Sequence, residues 1–336
     1  MPFFDSIAVG FDDYTDSRQL IELFRLAERS KFSSLWIQEG DQRSSLTLAG
    51  LALTSTTHIR VGVGVTSPLR RHPQMLAVEA ATLNEMSRGR FILGIGVASS
   101  AIANYGLQVK PVAAMRDTFR IVRGLLSNDS SQFSYNGEVF SLKIPQKRLN
   151  MPQAPIYLGG IGPRMLDLCG EVADGLVMTR RGSFSVEYVR YAIDRVVKSA
   201  VTYGRDPSKL DFLAFFETCI SEDEKEAVQY AKNILATYTI PNTPSFVFDL
   251  AGIREAEVMT VKERYRKGDV AGAIDAVTDE MVDTFALAGT PTQCVEKLAS
   301  FTKSGLKTPI LYIHGPDKEK ATELAAEVIV PRLVRQ

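Results

Sequence analysis

Residues 58–99, HIRVGVGVTSPLRRHPQMLAVEAATLNEMSRGRFILGIGVAS, constrain the fold of this chain more than any other stretch, because they read as one complete strand, turn, helix and strand unit. Residues 59–65 are a β-branched and glycine run that suits a strand buried on both faces. Thr66-Ser67-Pro68 breaks it. Pro73 fits the first turn of a helix, where its missing N–H costs nothing, and Leu76, Ala80 and Leu83 follow at helical spacing. Gly89 ends that helix, and residues 91–95 form a second buried strand closing at Gly94 and Gly96. Two buried strands joined through a helix run parallel, which points to a βαβ unit and an α/β fold.

The same alternation continues along the chain. Strand-like runs lie at 7–11, 34–38, 59–65, 91–95, 155–159, 175–178, 210–216 and 309–313. Helical segments lie at about 16–31, 44–55, 73–87, 113–127, 163–171, 184–203, 222–236 and 291–304, with a last helix from about 317 to the end. Eight strands wrapped by helices predict a (β/α)8 TIM barrel, and such barrels exceed the usual domain length as one unit, so residues 1–336 are expected to form a single domain. Two segments stand outside the alternation. Residues 133–142 alternate around Asn136-Gly137, a hairpin signal. Residues from about 239 to 285 carry helix-like stretches and are expected to form an insertion after the seventh barrel strand, where it would shape the substrate mouth.

Composition excludes several classes. Lysine plus arginine equals aspartate plus glutamate at 39 each, so no global field favours nucleic acid or an anionic membrane surface. No apolar run approaches the roughly 20 residues of a membrane helix. The N-terminal residues lack the basic-then-apolar pattern of a signal peptide, and Cys169, Cys219 and Cys294 are odd in number and far apart. A cytoplasmic protein with reduced, buried cysteines is expected. Only His58, His72 and His314 are present, and no cluster has metal-ligand spacing, so no metal is expected.

Barrel enzymes place their chemistry just past the strand C-termini. Those positions here are Phe11-Asp12-Asp13, Glu39-Gly40-Asp41, Gly64-Val65-Thr66, residues 96–100, residues 159–163, Thr179-Arg180-Arg181, Glu217-Thr218 and His314-Gly315. They offer no nucleophile and base pair and no Schiff-base lysine, which suits a redox cofactor that carries its own chemistry. Gly159-Gly160-Ile161-Gly162-Pro163 ends a strand and opens a helix; glycines admit a ligand close to the backbone, and free helix-start N–H groups favour an anion. The same residues also make an ordinary tight turn. Among the mouth acids, Asp12, Asp13 and Asp41 suit a surface as well as a site, and Glu39 is the candidate catalytic group. Trp36 reads as core, while Asn104 and Tyr105 suit either mouth or solvent.

Four ordered segments carry a more specific likeness: VGVGVTSPLRRHP, EAATLNEMSRGRFILGIG, YLGGIGPRMLDLCGEVADGLVMT and FALAGTPTQCVEKLASFTKSGLKTPILYI. Together they resemble the bacterial-luciferase-like superfamily, and the RHP segment most resembles its branch dependent on the deazaflavin coenzyme F-420, methylenetetrahydromethanopterin reductase included. The resemblance implies hydride transfer between F-420 and a small or pterin-like carbon substrate. The alternatives within the superfamily are an FMN-dependent monooxygenase and a catalytically inactive flavin-binding protein. By resemblance, Gly64-Val65 is a non-prolyl cis peptide bulging under the tricyclic ring, Gly159, Gly160, Gly162 and Pro163 hold the ribityl-phosphate portion, and Thr179 contacts the same phosphate. Arg180 and Arg181 would add charge there, and His72 would orient a neighbour rather than act as a base. Ser99, a further cofactor-contacting position, stands where relatives place an acid; Glu39-Gly40 replaces an Asp-His pair, and Gly10 stands where the methylene reductase has Glu. A homodimer formed through helices on one side of the barrel is likewise implied.

Overall fold

The computed structural model describes residues 3–98, 102, 104–127, 132–145, 153–180 and 185–334. The apolar runs close into a barrel: β1 (Ala8–Phe11), β2 (Ser34–Ile37), β3 (Arg60–Thr66) and β4 (Phe91–Gly96) pair in sequence. A two-stranded excursion follows, β5 (Phe133–Asn136) with β6 (Ser141–Ile144), and the barrel resumes with β7 (Ile156–Gly159), β8 (Gly175–Met178) and β9 (Asp211–Ile220). A short β10 (Leu287–Gly289) precedes β11 (Thr308–Ile313), which pairs in parallel with both β9 and β1, for example Val9 with Leu311, and seals the ring. Eight parallel strands therefore form a TIM barrel, as the alternation predicts.

Between strands lie α1 (Ser17–Arg29), α2 (Ser45–Ser55), α3 (Pro73–Met86), α4 (Pro111–Leu126), α5 (Pro163–Val172) and α6 (Val186–Thr202). Local chemistry sets their ends: Asp16, Ser44 and Ser185 accept backbone N–H groups at the starts of α1, α2 and α6, and Gly89 leaves α3 at φ +91°. After β9 the chain runs through α7 (Glu224–Ile234), a π turn (Leu235–Thr239) and a short turn at Ile240–Asn242. Then come α8 (Ser245–Leu250), α9 (Glu255–Arg266), α10 (Val270–Asp275) and α11 (Asp279–Phe285), with α12 (Pro291–Ala299) and α13 (Lys318–Leu324) on either side of β11. None of the helices among the described residues is long and apolar enough to cross a membrane.

Two differences from the sequence reading have one cause. Strand β9 extends four residues past the expected 216, and β10 was not expected at all, because Leu287, Ala288 and Gly289 pair with Thr218, Cys219 and Ile220. A three-residue strand is too short to show an alternation, so its existence depends on its partner. The Asn136-Gly137 hairpin forms as expected and is tied to α4 by Asp117, which accepts Tyr135 Oη at 2.7 Å and the Val139 and Phe140 N–H groups at 2.7 and 3.0 Å.

The barrel interior is filled by Trp36, Tyr157, Phe215 and Tyr312 with smaller neighbours, so Trp36 is core. Large and small residues alternate across it. A Cβ on Gly62 would sit 2.5 Å from Trp36, and one on Gly64 would sit 2.7 Å from Phe215. Layers this tight fill the lower barrel and leave the strand C-termini as the place for a ligand.

Candidate active site

A cavity of about 820 Å³ opens at the C-terminal ends of β2, β3, β4, β7 and β8, with the π-turned helix after α7 forming one wall. Glu39, Gly64, Val65, Gly159, Gly160, Gly162, Pro163 and Thr179 all line it, so one space gathers these sequence candidates. Ser99 and Arg181 lie outside the described residues.

The Gly64-Val65 peptide is cis. The Val65 side chain fits between β4 and β7, because a Cβ on Gly159 would lie 2.6 Å from Val65 Cγ1 and one on Gly96 would collide with Val65 Cγ2. Glycines on the two neighbouring strands thus make room for one valine. Beyond β7, Gly162 caps α5 with φ −76° and ψ 155°, no side chain occupies the cap, and a Cβ there would meet nothing within 4 Å. An uncapped helix start, a glycine approach and the exposed Arg164 make a cradle for an anion. The residues present therefore fit the phosphate of a flavin-type cofactor: Gly159, Gly160, Gly162 and Thr179 would hold it.

Glu39 is almost wholly buried, its side chain 5% exposed. Its Oε1 accepts from Arg71, and its Oε2 is buried without a hydrogen bond. Arg71 also donates to Ser44 Oγ at 2.9 Å and Thr66 Oγ1 at 3.2 Å, and it lies 3.8 Å from Glu79. Arg70 donates to the Gly40 carbonyl at 2.5 Å and to Asp41 at 2.6 Å. The arginines of the RRHP segment are thus fixed on the loop after β2. His72 stands outside the cavity, accepting the Gln74 N–H at 3.2 Å as the cap of α3.

The other mouth acids serve the scaffold. Asp12 pairs with Lys318 and accepts from Thr15; burial would raise its carboxyl, and Lys318 outweighs burial to hold it below its ordinary value. Asp13 is buried and accepts the Gln42 and Arg43 N–H groups at 2.9 and 3.1 Å, which pins the Glu39 loop. A Cβ on Gly40 would collide with that Asp13 carboxylate, so the position after Glu39 admits no side chain without moving it. Asp41 and Tyr105 are exposed, and neither lines the cavity.

The sequence reading placed Arg180, Glu217 and His314 at strand ends but not together; the structure joins them in a buried polar cluster. Arg180 does not join the glycine turn as charge for a phosphate; its Nε donates to Glu217 Oε1 at 2.8 Å and its Nη1 to Gln38 Oε1 at 2.8 Å. Glu217 lies inside β9, fully buried, with His314 Nε2 at 2.6 Å and the Thr239 hydroxyl donating at 3.1 Å. Burial alone would raise the Glu217 carboxyl; Arg180, then His314, outweigh it and hold it at about 2. Burial pushes the His314 imidazole down despite Glu217, so at neutral pH Arg180 is the cation of the cluster. A charged pair 37 residues apart shows no spacing in the sequence; the signals were the strand-end positions of Arg180, Glu217 and His314 and an acid embedded in the apolar run after Phe216. Among the described residues no group of three or more His, Cys, Asp or Glu is arranged to hold a metal ion.

The match of known proteins to this geometry is broad. The family model described as luciferase-like monooxygenase matches residues 3–308. A 5,10-methylenetetrahydromethanopterin reductase of Archaeoglobus fulgidus is 30% identical over 321 residues, covering 92% of this chain and 94% of that protein. The solved coenzyme F-420 dependent tetrahydromethanopterin reductase of Methanopyrus kandleri superposes with a TM-score of 0.88 at 26% identity, covering 98% of this chain and 99% of that one. An F-420-dependent secondary alcohol dehydrogenase, solved with an F-420-acetone adduct, shares the fold at a TM-score of 0.80 and 19% identity. With its barrel, its cavity and nearly its whole length matched, the chain belongs to the luciferase-like monooxygenase family.

Proposed function

We propose that this chain is an oxidoreductase dependent on coenzyme F-420, transferring a hydride between the deazaflavin and a carbon of a small or pterin-like substrate, in the manner of methylenetetrahydromethanopterin reductase. The observation that carries the reading is one cavity lined by an uncapped, glycine-rich helix start, by Gly64-Val65 and by Glu39, with no nucleophile and base pair among the described lining residues. Near full-length similarity to methylenetetrahydromethanopterin reductases supports it. When bound, the deazaflavin supplies the hydride at its C5 carbon. The protein then has to position two partners and exclude water, and proximity is its main contribution. Gly159, Gly160, Gly162, Pro163 and Thr179 bind the phosphate end, Gly64 and Val65 support the ring, and Ser99 belongs to the same set by resemblance. Glu39, buried and fixed by Arg71, orients the substrate or holds a proton at Oε2.

The FMN-dependent monooxygenase reading is less favoured, because the methylenetetrahydromethanopterin reductases match nearly the whole chain at 28–30% identity, whereas monooxygenase structures of equal coverage share 16–18%. Titration by fluorescence quenching decides between them. Reduced F-420 should bind at least about tenfold more tightly than FMN, a difference of roughly 1.4 kcal/mol. Equal or tighter FMN binding overturns the assignment, and binding without turnover points to the catalytically inactive flavin-binding relative. The reading extends to a cytoplasmic, single-domain protein with residues 239–285 as an insertion. It also extends to a homodimer, supported by the exposed apolar stripe Met75, Val78 and Met86 along α3 and read by sedimentation velocity.

A further inference from the structure

Arg180 follows β8 by two residues, and its side chain is held by two hydrogen bonds and two aromatic rings. Nε and Nη1 are spent on Glu217 and Gln38, and the rings of Tyr238 and Tyr312 pack on the guanidinium, with centroids 4.2 and 4.4 Å from Cζ. The Nη2 amino group stands outside both of those bonds. Arg180, Gln38 and Tyr238 belong to the cavity wall, whereas Glu217 and Tyr312 do not line the cavity and brace the guanidinium from behind. The π turn at Leu235–Thr239 makes this possible, bringing Tyr238 over the guanidinium and the Thr239 hydroxyl onto Glu217 in successive residues. A buried ion pair is costly to desolvate, and an apolar pair would fill the space at lower cost, so its presence at a cavity wall asks for a role.

We propose that Arg180 determines which hydride acceptor this enzyme takes, by presenting its guanidinium edge to a neutral, carbonyl-type oxygen of that acceptor. Glu217, Gln38 and Tyr238 are its positioning residues, and the inference rests on the hydride-transfer reading above. The charges select the neutral partner. Glu217 compensates Arg180, and Arg71 compensates Glu39 across the same cavity, so at Arg180 the wall offers a directed donor whose charge is already matched. At Arg180 a carboxylate or phosphate would meet a cation already matched by Glu217, with Arg70 paired to Asp41 and Arg164 set apart at the glycine turn, while a carbonyl takes the hydrogen bond without that penalty. Arg180 moves neither proton nor electron in this role; it holds the acceptor.

The test uses the F-420-loaded enzyme with methylenetetrahydromethanopterin as the acceptor probe, comparing Arg180→Lys and Gln38→Ala with wild type. Lysine keeps the charge and loses the planar fork. The expected result is a KM for the acceptor raised about tenfold in Arg180→Lys and about threefold in Gln38→Ala, with the F-420 dissociation constant within about twofold of wild type in both. Neutral pterin should inhibit wild type about tenfold better than pterin-6-carboxylate, and Arg180→Lys should shrink that preference. An F-420 affinity that falls in step with the KM assigns Arg180 to the cofactor and overturns the proposal. So does an unchanged KM in folded Arg180→Lys, or in Gln38→Ala should the lysine variant not fold. Wild type that binds no F-420 brings down the functional reading as well; wild type that binds it while the variants behave normally overturns this inference alone.

Discussion

Gly162→Val separates cofactor binding from folding more cleanly than any other change in the cavity. The backbone at Gly162, φ −76° and ψ 155°, lies in the extended region that valine prefers, and the new Cβ would meet nothing within 4 Å. Losing glycine at a helix cap costs up to about 1 kcal/mol, and the stiffer unfolded chain returns about 0.4–1 kcal/mol. Stability should therefore change by less than about 1 kcal/mol, a Tm shift of no more than about 4 °C in a chain of this size. Gly159 offers no such separation, because a side chain there runs into Val65. If the cofactor phosphate lies against Gly162, the valine methyl groups occupy its place and the backbone donors lose it. A lost charge-assisted bond is worth about 1.5–3 kcal/mol, so the F-420 dissociation constant should rise roughly 10- to 150-fold. Fluorescence quenching reads the affinity and a thermal melt reads the fold. A dissociation constant within about twofold of wild type in a variant with unchanged Tm would show that no phosphate rests on this turn.

Glu39→Gln should lower turnover by more than it lowers F-420 affinity, since it removes the charge paired with Arg71 while keeping the shape of the cavity wall; wild-type kcat would return Glu39 to a purely structural role. His314 makes stability depend on pH. Burial pushes its imidazole below the ordinary 6.5, so the unfolded chain holds that proton more tightly, and stability is lost as pH falls through 6.5 toward the folded-state value. Glu217, held low, adds a second loss at more acidic pH, below its ordinary 4.5 and down to about 2. Melts between about pH 7 and 5 should show Tm falling in wild type, as stability drops by at most about 1.4 kcal/mol per pH unit for one proton, and a flatter profile in His314→Gln; equal slopes would remove His314 as the titrating group.

The barrel was legible in the sequence because each parallel strand is buried on both faces and so reads as an uninterrupted apolar run, as in Ile156–Gly159 and Gly175–Met178. The glycine turn after β7 was legible for the same local reason: an empty cap at Gly162 needs only its own residues. Interactions that depend on closure were not. Arg180 and Glu217 come from adjacent strands, Gln38 from across the barrel and Thr239 from a later helix, so nothing along the chain announces that they meet. Strand β10 exists through its pairing with Thr218, Cys219 and Ile220, and three residues carry no period of their own. Asp12 and Asp13, which follow a strand, read as surface carboxylates as readily as site acids; Lys318, distant in sequence, and two N–H groups of the next loop make them scaffold.

Hydride transfer from the deazaflavin is tested most directly with reduced F-420 deuterated at C5. Incubated with the enzyme and methylenetetrahydromethanopterin, it should yield oxidised F-420 and the reduced pterin in equal amounts, with the deuterium on the acceptor carbon and no oxygen consumed. Deuterium appearing in water instead of product, or cofactor oxidation that consumes oxygen, would contradict a hydride-transferring reductase and favour the oxygenase chemistry of the wider family.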